Sequence, residues 1–179
     1  MSVRVLLVTG PVGVGKTTVA LEASDLLEAA GVPHAVIDVD ALSWCYPTPV
    51  NDPFNNRLAL RNLRCVWANF AAAGAVRLIL ARVVETRDEL GAFREAVPGA
   101  ELTVVRLRAS NETLLRRVAG REVGSHREWS LNRAVELARL MDHQAVEDHL
   151  VDTDGRTVTD IATEVLRRAN WPNATRTRA

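Results

Sequence analysis

Cysteine is scarce. Cys45 and Cys65 are the only two, and they form no C-x-x-C pair. This argues against a disulfide framework and predicts reduced thiols in a cytoplasmic protein. An excess of charge is also missing, with 22 basic and 22 acidic residues. That argues against a general nucleic-acid binder and against an anionic-membrane binder, while a local basic patch stays open. No apolar run is long enough to span a bilayer, and the N-terminal one is too short for a signal peptide. The four histidines, His34, His126, His143 and His149, show no metal-ligand spacing with one another or with the cysteines. No serine sits in a nucleophile elbow, and there is no internal repeat or interdomain linker. A length of 179 residues predicts one domain with a real core over 1–170. A polar tail at 171–179 is expected to fray. A homodimer is compatible with these features.

What is present begins with Gly10-Pro11-Val12-Gly13-Val14-Gly15-Lys16-Thr17. It fits G-x-x-x-x-G-K-[ST], the P-loop, and its context is the one the motif needs. A short apolar run, 3–8, precedes it. A helical pattern with Val19, Ala23, Leu26 and Leu27 in register follows. Glycines let the backbone fold around a phosphate with its N–H groups inward, and the helix N-terminus adds partial positive charge. Gly10 through Thr18 is therefore the predicted nucleotide-binding stretch, Thr18 closing it. Lys16 reaches the β- and γ-phosphates, and Thr17 offers a hydroxyl to Mg²⁺.

Short apolar runs alternate with helical patterns along the rest of the chain. This predicts a three-layer α/β/α sandwich on a five-stranded parallel sheet. The later strands are expected at 35–39, 76–83, 102–107 and 149–153. A helix capped by Asp52, with Pro53 in its first turn, is expected to reach 73. Capping boxes at Thr86/Glu89 and Ser125/Glu128 predict helices over 87–96 and from 125 to about 143. Ser110 is expected to cap the helix before a break at 120–124, and Thr157 to cap the last one. Ligands in such sheets sit beyond the carboxyl ends of the strands, so residues just after each strand are the site candidates.

Asp38 and Asp40 are two apart in a predicted strand, on one face and roughly 6.5–7 Å apart along it. One carboxylate would serve the Mg²⁺ shell and the other would take the proton of an attacking hydroxyl. Asp38 is the metal-side candidate with Thr17, and Asp40 is the candidate base. The structural alternative is that both serve the backbone, as cap and turn residues. The third strand runs into Arg82, where a motor or switch ATPase carries an acid for the metal. Arg82 would bind a substrate anion or pair with Asp38, and Glu85 would line the same pocket. Arg57, Arg61 and Arg64 make a basic stripe on one helix, either a solvated face or an acceptor contact. Trp44 lies in an aromatic loop that would wall the acceptor. Arg116, Arg117, Arg121 and Arg127 surround the break at 120–124. Arg117 and Arg121 are the candidates to close as a lid, at 117–127, over the phosphates. Thr157, just after the fifth strand, is a further candidate nucleotide contact.

The P-loop, then Ile37-Asp38-Val39-Asp40, then Arg57 and Arg61-Asn62-Leu63-Arg64, then an arginine-rich lid, resemble the P-loop small-molecule kinases. These include adenylylsulfate, shikimate and gluconate kinases and chloramphenicol phosphotransferase. Ile37 to Asp40 is similar to the LDGD segment of adenylylsulfate kinases, and Arg57 to Arg64 to their R…NIRR helix. The resemblance implies their fold, with strand order 2-3-1-4-5, and phosphoryl transfer from ATP with Mg²⁺. Three features differ from adenylylsulfate kinases. No arginine follows Asp40 closely, residues 80–87 replace an ISPYR-like stretch, and a KGLYKKA-like lid is absent. The expected activity is transfer of the γ-phosphate of ATP to a hydroxyl of a small molecule. A regulatory nucleotide-binding ATPase and a nucleic-acid 5′-end kinase are the competing readings.

Overall fold

The computed structural model describes residues 2–52, 54–121 and 126–172, without the side chains of Arg121 and His126. Strands β1 (Val3–Thr9), β2 (Ala35–Asp38), β3 (Arg77–Ala81), β4 (Ala100–Arg108) and β5 (His149–Asp152) form one sheet. All pairings are parallel, in the order β2-β3-β1-β4-β5. Helices α1 (Lys16–Ala29), α2 (Asn56–Ala72), α3 (Glu89–Ala96), α4 (Asn111–Arg121), α5 (His126–Gln144) and α6 (Val158–Arg168) connect and follow the strands. This is the α/β P-loop fold.

The pleat of β1 shows why the sheet needs cover on both sides. Val5 and Leu7 point to one face, Leu6 and Val8 to the other, and all four are buried. Val5 and Leu7 join Leu63 and Trp67 of α2 and Phe93 of α3. Leu6 and Val8 join Leu26 of α1, Leu114 of α4 and Val165 of α6. A central parallel strand buried on both faces reads as a continuous apolar run, and β1 does.

Several boundaries differ from the sequence reading, each for a local reason. Helix α2 starts at Asn56, because Asn55 adopts a left-handed conformation (φ 53°) that breaks the turn before it. The Asp52 carboxylate still serves the helix end, accepting from the amides of Arg57 (3.0 Å) and Leu58 (3.2 Å). Pro53 and the Ser125 half of the second capping box lie outside the described residues. Strand β2 ends at Asp38, so Asp38 and Asp40 do not share a strand face. Asp40 has helical dihedrals and opens a 3₁₀ turn at Ala41–Ser43. Strand β3 is shorter than expected and β4 longer. The buried face of α5 runs through Ser130, Ala134, Leu137 and Met141, with Leu131 and Ala138 partly buried against the same core. Trp171, expected in the tail, is buried under Arg77, whose guanidinium lies 5.9 Å from the ring centroid. The expected caps of α4 and α6 form, Thr113 N–H donating to Ser110 Oγ (3.3 Å) and Asp160 N–H to Thr157 Oγ1 (3.1 Å). At α3 only the Glu89 half of the box forms, its carboxylate accepting from the Thr86 amide (2.9 Å), and the helix starts at Glu89 after Asp88.

Candidate active site

The carboxyl end of β1 delivers the glycine loop to the middle of the sheet. Gly13 has φ 82°, and a Cβ there would lie 2.5 Å from a methyl of Val118. At Gly10 (φ 144°) a Cβ would lie 2.6 Å from the Leu107 carbonyl oxygen. Neither position admits a side chain, so the loop lies flush against α4 and β4. Lys16 begins α1 and is the chain's single lysine. Its ammonium donates to the Pro11 carbonyl at 3.2 Å, folding the side chain back over the loop. Arg117 reaches across from α4 and donates to the Val14 carbonyl (3.0 Å) and the Thr153 hydroxyl (3.2 Å). The predicted lid arginine is thus tied to the loop it would close. The Arg121 side chain and residues 122–125 of that segment lie outside the described residues.

Beside the loop is a hollow of about 260 Å³ lined by Gly13, Gly15, Thr18, Arg117, Arg156 and Val158. Thr157, a predicted nucleotide contact, spends its hydroxyl on α6, donating to Asp160 Oδ2 at 2.7 Å and accepting from the Asp160 amide. Its neighbours Arg156 and Val158 line the hollow instead. Arg156 is held by Glu164 (2.7 Å) and by the carbonyls of Asp152 and Asp160. Burial pushes the Glu164 carboxyl up, but hydrogen bonds from Arg156 and Arg168 outweigh it and leave Glu164 below its ordinary value.

On the other side of the loop, the Thr17 hydroxyl donates to Asp38 Oδ2 at 2.7 Å. Asp38 Oδ1 accepts the Asp40 amide at 3.0 Å. Two hard oxygen donors therefore meet beside the phosphate loop, a set that suits Mg²⁺. The turn directs the Asp40 carboxylate away from Asp38 and onto Arg82, 2.9 Å away. Arg82 was expected to bind a substrate anion or to pair with Asp38. Its carboxylate partner is Asp40 and not Asp38, and it also donates to the Val39 carbonyl (3.3 Å) and to Asn56 Oδ1.

Asp40 and Arg82 open on a cavity of about 860 Å³. Trp44, Phe54 and Trp129 line it, together with Glu85, Glu89 and Arg133. Glu85 pairs with Arg133, which also meets Glu136 at 3.0 Å. Burial would lower the Arg133 guanidinium, but its bonds to Glu136 and Glu85 hold it above its ordinary value. The arginine stripe of α2 lies elsewhere. Arg57, Arg61 and Arg64 line a separate groove of about 540 Å³ with Val50 and Glu95, and Leu60 and Ala92 line both hollows.

Residues 6–140 match the AAA domain family. The chain belongs to the AAA domain family. No curated protein matches the sequence. Solved structures share the fold across nearly the whole chain. The tunicamycin resistance protein of Deinococcus radiodurans has a TM-score of 0.68 at 17% identity, covering 96% of this chain and 98% of that one. A gluconokinase from Sinorhizobium meliloti has a TM-score of 0.61 at 21% identity, covering 93% and 91%. The APS kinase of Mycobacterium tuberculosis, solved with AMPPNP and APS, has a TM-score of 0.61 at 18% identity, covering 94% and 98%. The fold of this AAA domain protein is thus that of P-loop small-molecule kinases.

Sequence reasoning misses Asn56, Trp129, Arg133, Glu136 and Arg156 in this AAA domain protein. Trp129, Arg133 and Glu136 recur at i, i+4 and i+7, a helical face that reads from sequence as solvated. Arg156 follows the Asp154-Gly155 turn after β5, within the stretch that its place at a strand's carboxyl end marks as a candidate, but sequence reasoning singles out its neighbour Thr157 instead.

Proposed function

We propose that this AAA domain protein is a cytoplasmic ATP-dependent phosphotransferase that moves the γ-phosphate to a hydroxyl of a small molecule held in the Asp40 cavity. The observation that carries this reading is the chain of contacts from Thr17 to Asp38 to the Asp40 amide. It links the phosphate loop to a carboxylate facing a separate cavity of acceptor size. The fold-level likeness to proteins named as kinases supports it. Among the described residues no helix is long and apolar enough to cross a membrane, and the exposed free thiols Cys45 and Cys65 fit a reducing compartment.

In this reading the loop amides and Lys16 hold the phosphates, and Arg117 adds charge from α4. The base of the nucleotide enters the hollow bounded by Arg156, whose flat guanidinium is fixed by Glu164 and available to an aromatic ring. Thr17 and Asp38 would hold Mg²⁺, which when bound neutralises phosphate charge. Asp40 accepts the proton of the acceptor hydroxyl, whose oxygen bonds the γ-phosphorus as the bond to ADP breaks. Arg82 keeps the Asp40 carboxylate aimed into the cavity. The carboxylate next to Thr17 comes from β2, and β3 ends at Ala81 with Arg82 directly after it. That placement favours a kinase over a switch ATPase with its metal acid after the third strand.

The test is an ADP-release screen against pools of sugars, nucleosides, aminocyclitols and other hydroxylated natural products, run beside Lys16→Ala. Acceptor-dependent ADP release that the Lys16 variant loses is expected. ATP turnover that no acceptor stimulates, or that the Lys16 variant retains, would contradict the reading.

A further inference from the structure

The acceptor cavity has two properties that its position alone does not require. The first is its charge. Asp40, Glu85, Glu89 and Glu136 line it, against Arg82 and Arg133. Both guanidiniums are already engaged. Arg82 meets Asp40 and Asn56, and Arg133 meets Glu85 and Glu136. Glu89 accepts from the amides of Glu85 and Thr86 at 2.9 Å each. Among the described lining residues, no cation is left to receive a carboxylate, sulfate or phosphate on an incoming molecule. An anion placed here would face a surplus of carboxylates in a partly desolvated hollow, the arrangement that rejects a ligand by repulsion.

The second property is apolar surface. Trp44 is 84% exposed, Phe54 70% and Trp129 58%. They come from three parts of the chain: the segment after the 3₁₀ turn, the loop before α2, and α5. All three line the same cavity. The other two tryptophans, Trp67 and Trp171, are buried at 5% each, so this fold buries the indoles that serve its core. Large aromatic side chains gathered at one opening from separate elements mark a surface built to be covered. The cavity's volume of about 860 Å³ lies toward the upper end of drug-sized pockets, with more room than a bare sugar acid fills.

We infer that the acceptor is a hydroxylated molecule without anionic groups that carries an extended apolar or aromatic body. This rests on the kinase reading for the role of the hydroxyl, but it concerns binding and is tested apart from transfer. The aromatic body would lie against Trp44, Phe54 and Trp129, with the hydroxyl turned inward to Asp40.

A matched ligand set separates charge from apolar contact. Phenyl glucoside, phenyl glucuronide and methyl glucoside are titrated into the full chain, with tryptophan emission as readout and calorimetry as a second measure. Phenyl glucoside should bind at least about tenfold more tightly than the other two, a ratio worth one decade in Kd. Trp129→Ala and Trp44→Ala should each weaken phenyl glucoside and leave Mg·ATP affinity unchanged. Equal or tighter binding of the glucuronide would overturn the inference. So would indifference to the tryptophan changes, or failure of phenyl glucoside to bind at millimolar concentration. Binding in the predicted order without phosphoryl transfer to any hydroxyl would leave this inference standing and count against the kinase reading instead.

Discussion

On the nucleotide side, Gly10 and Gly13 press the loop so tightly on β4 and α4 that a single methyl would collide. On the acceptor side, Trp44, Phe54 and Trp129 stand largely in solvent around a wide cavity. The first wall is backbone, fixed by glycine dihedrals and by a helix N-terminus. The second is side chain, drawn from five segments and tied together by ion pairs at Asp40–Arg82 and Glu85–Arg133. A backbone wall suits a ligand shared by many proteins, because phosphate recognition needs only amides in the right curve. A side-chain wall lets one fold change its acceptor without disturbing the phosphate cradle.

The contrast breaks most sharply where the two sides meet. Asp40→Asn should lower turnover by about 10²–10⁴-fold with little change in ATP affinity, read from steady-state kinetics and an ATP titration. Lys16→Ala should cost about 10²–10³-fold in turnover, with the melting temperature preserved because the ammonium lies at the cleft. A mild effect of both changes would dissolve the distinction between the sides. Gly13→Ala strikes the backbone wall itself. The residue would be strained at φ 82° and collide with Val118, so a loss of about 1–3 kcal/mol in stability is expected, visible in urea unfolding together with weakened ATP binding. Trp44→Ala should do neither.

The smallest effect sharpens the nucleotide side through pH. Glu164, which anchors Arg156, has its carboxyl held below the ordinary 4.5 in the fold. A lowered folded value means its contribution to stability is present above about pH 4.5 and lost as pH falls through the folded value. Chemical denaturation between pH 3 and 6 should therefore show a steeper loss of stability for the native chain than for Glu164→Gln. The variant should also bind ATP somewhat more weakly at pH 7, because Arg156 is less firmly held.

The sequence makes the same division visible. The P-loop is readable because loop curvature forces glycine at fixed spacing, and the parallel sheet because strands buried on both faces appear as apolar runs. The cap at Thr157 is readable because a side chain must serve an amide three residues on, and the Glu89 half of its box because a carboxylate one turn in reaches back to the amides before the helix. Asp38 is readable as a neighbour of Thr17 from its place at a strand's end. The partner of Asp40 is not, because a 3₁₀ turn redirects its carboxylate by one residue's dihedrals. The cavity wall is hidden as well. Trp129, Arg133 and Glu136 on α5 join Glu85 after β3 in one cavity wall only through tertiary packing, with Arg133 making the contact to Glu85, and a charged helical face reads as solvated from sequence alone. The direction of the arginine stripe of α2 is hidden too. Its spacing is regular, yet the helix turns those side chains to a groove beside the cavity.

The most direct test of the central claim follows the γ-phosphate itself. Radiolabelled ATP with Mg²⁺ is incubated with the native chain and an acceptor found by ADP release, and the products are separated. The label should appear in an acid-stable phosphate ester of the acceptor, in amounts matching the ADP formed, and should disappear with Asp40→Asn. Label recovered only as inorganic phosphate, or an ester yield untouched by Asp40→Asn, would contradict the account.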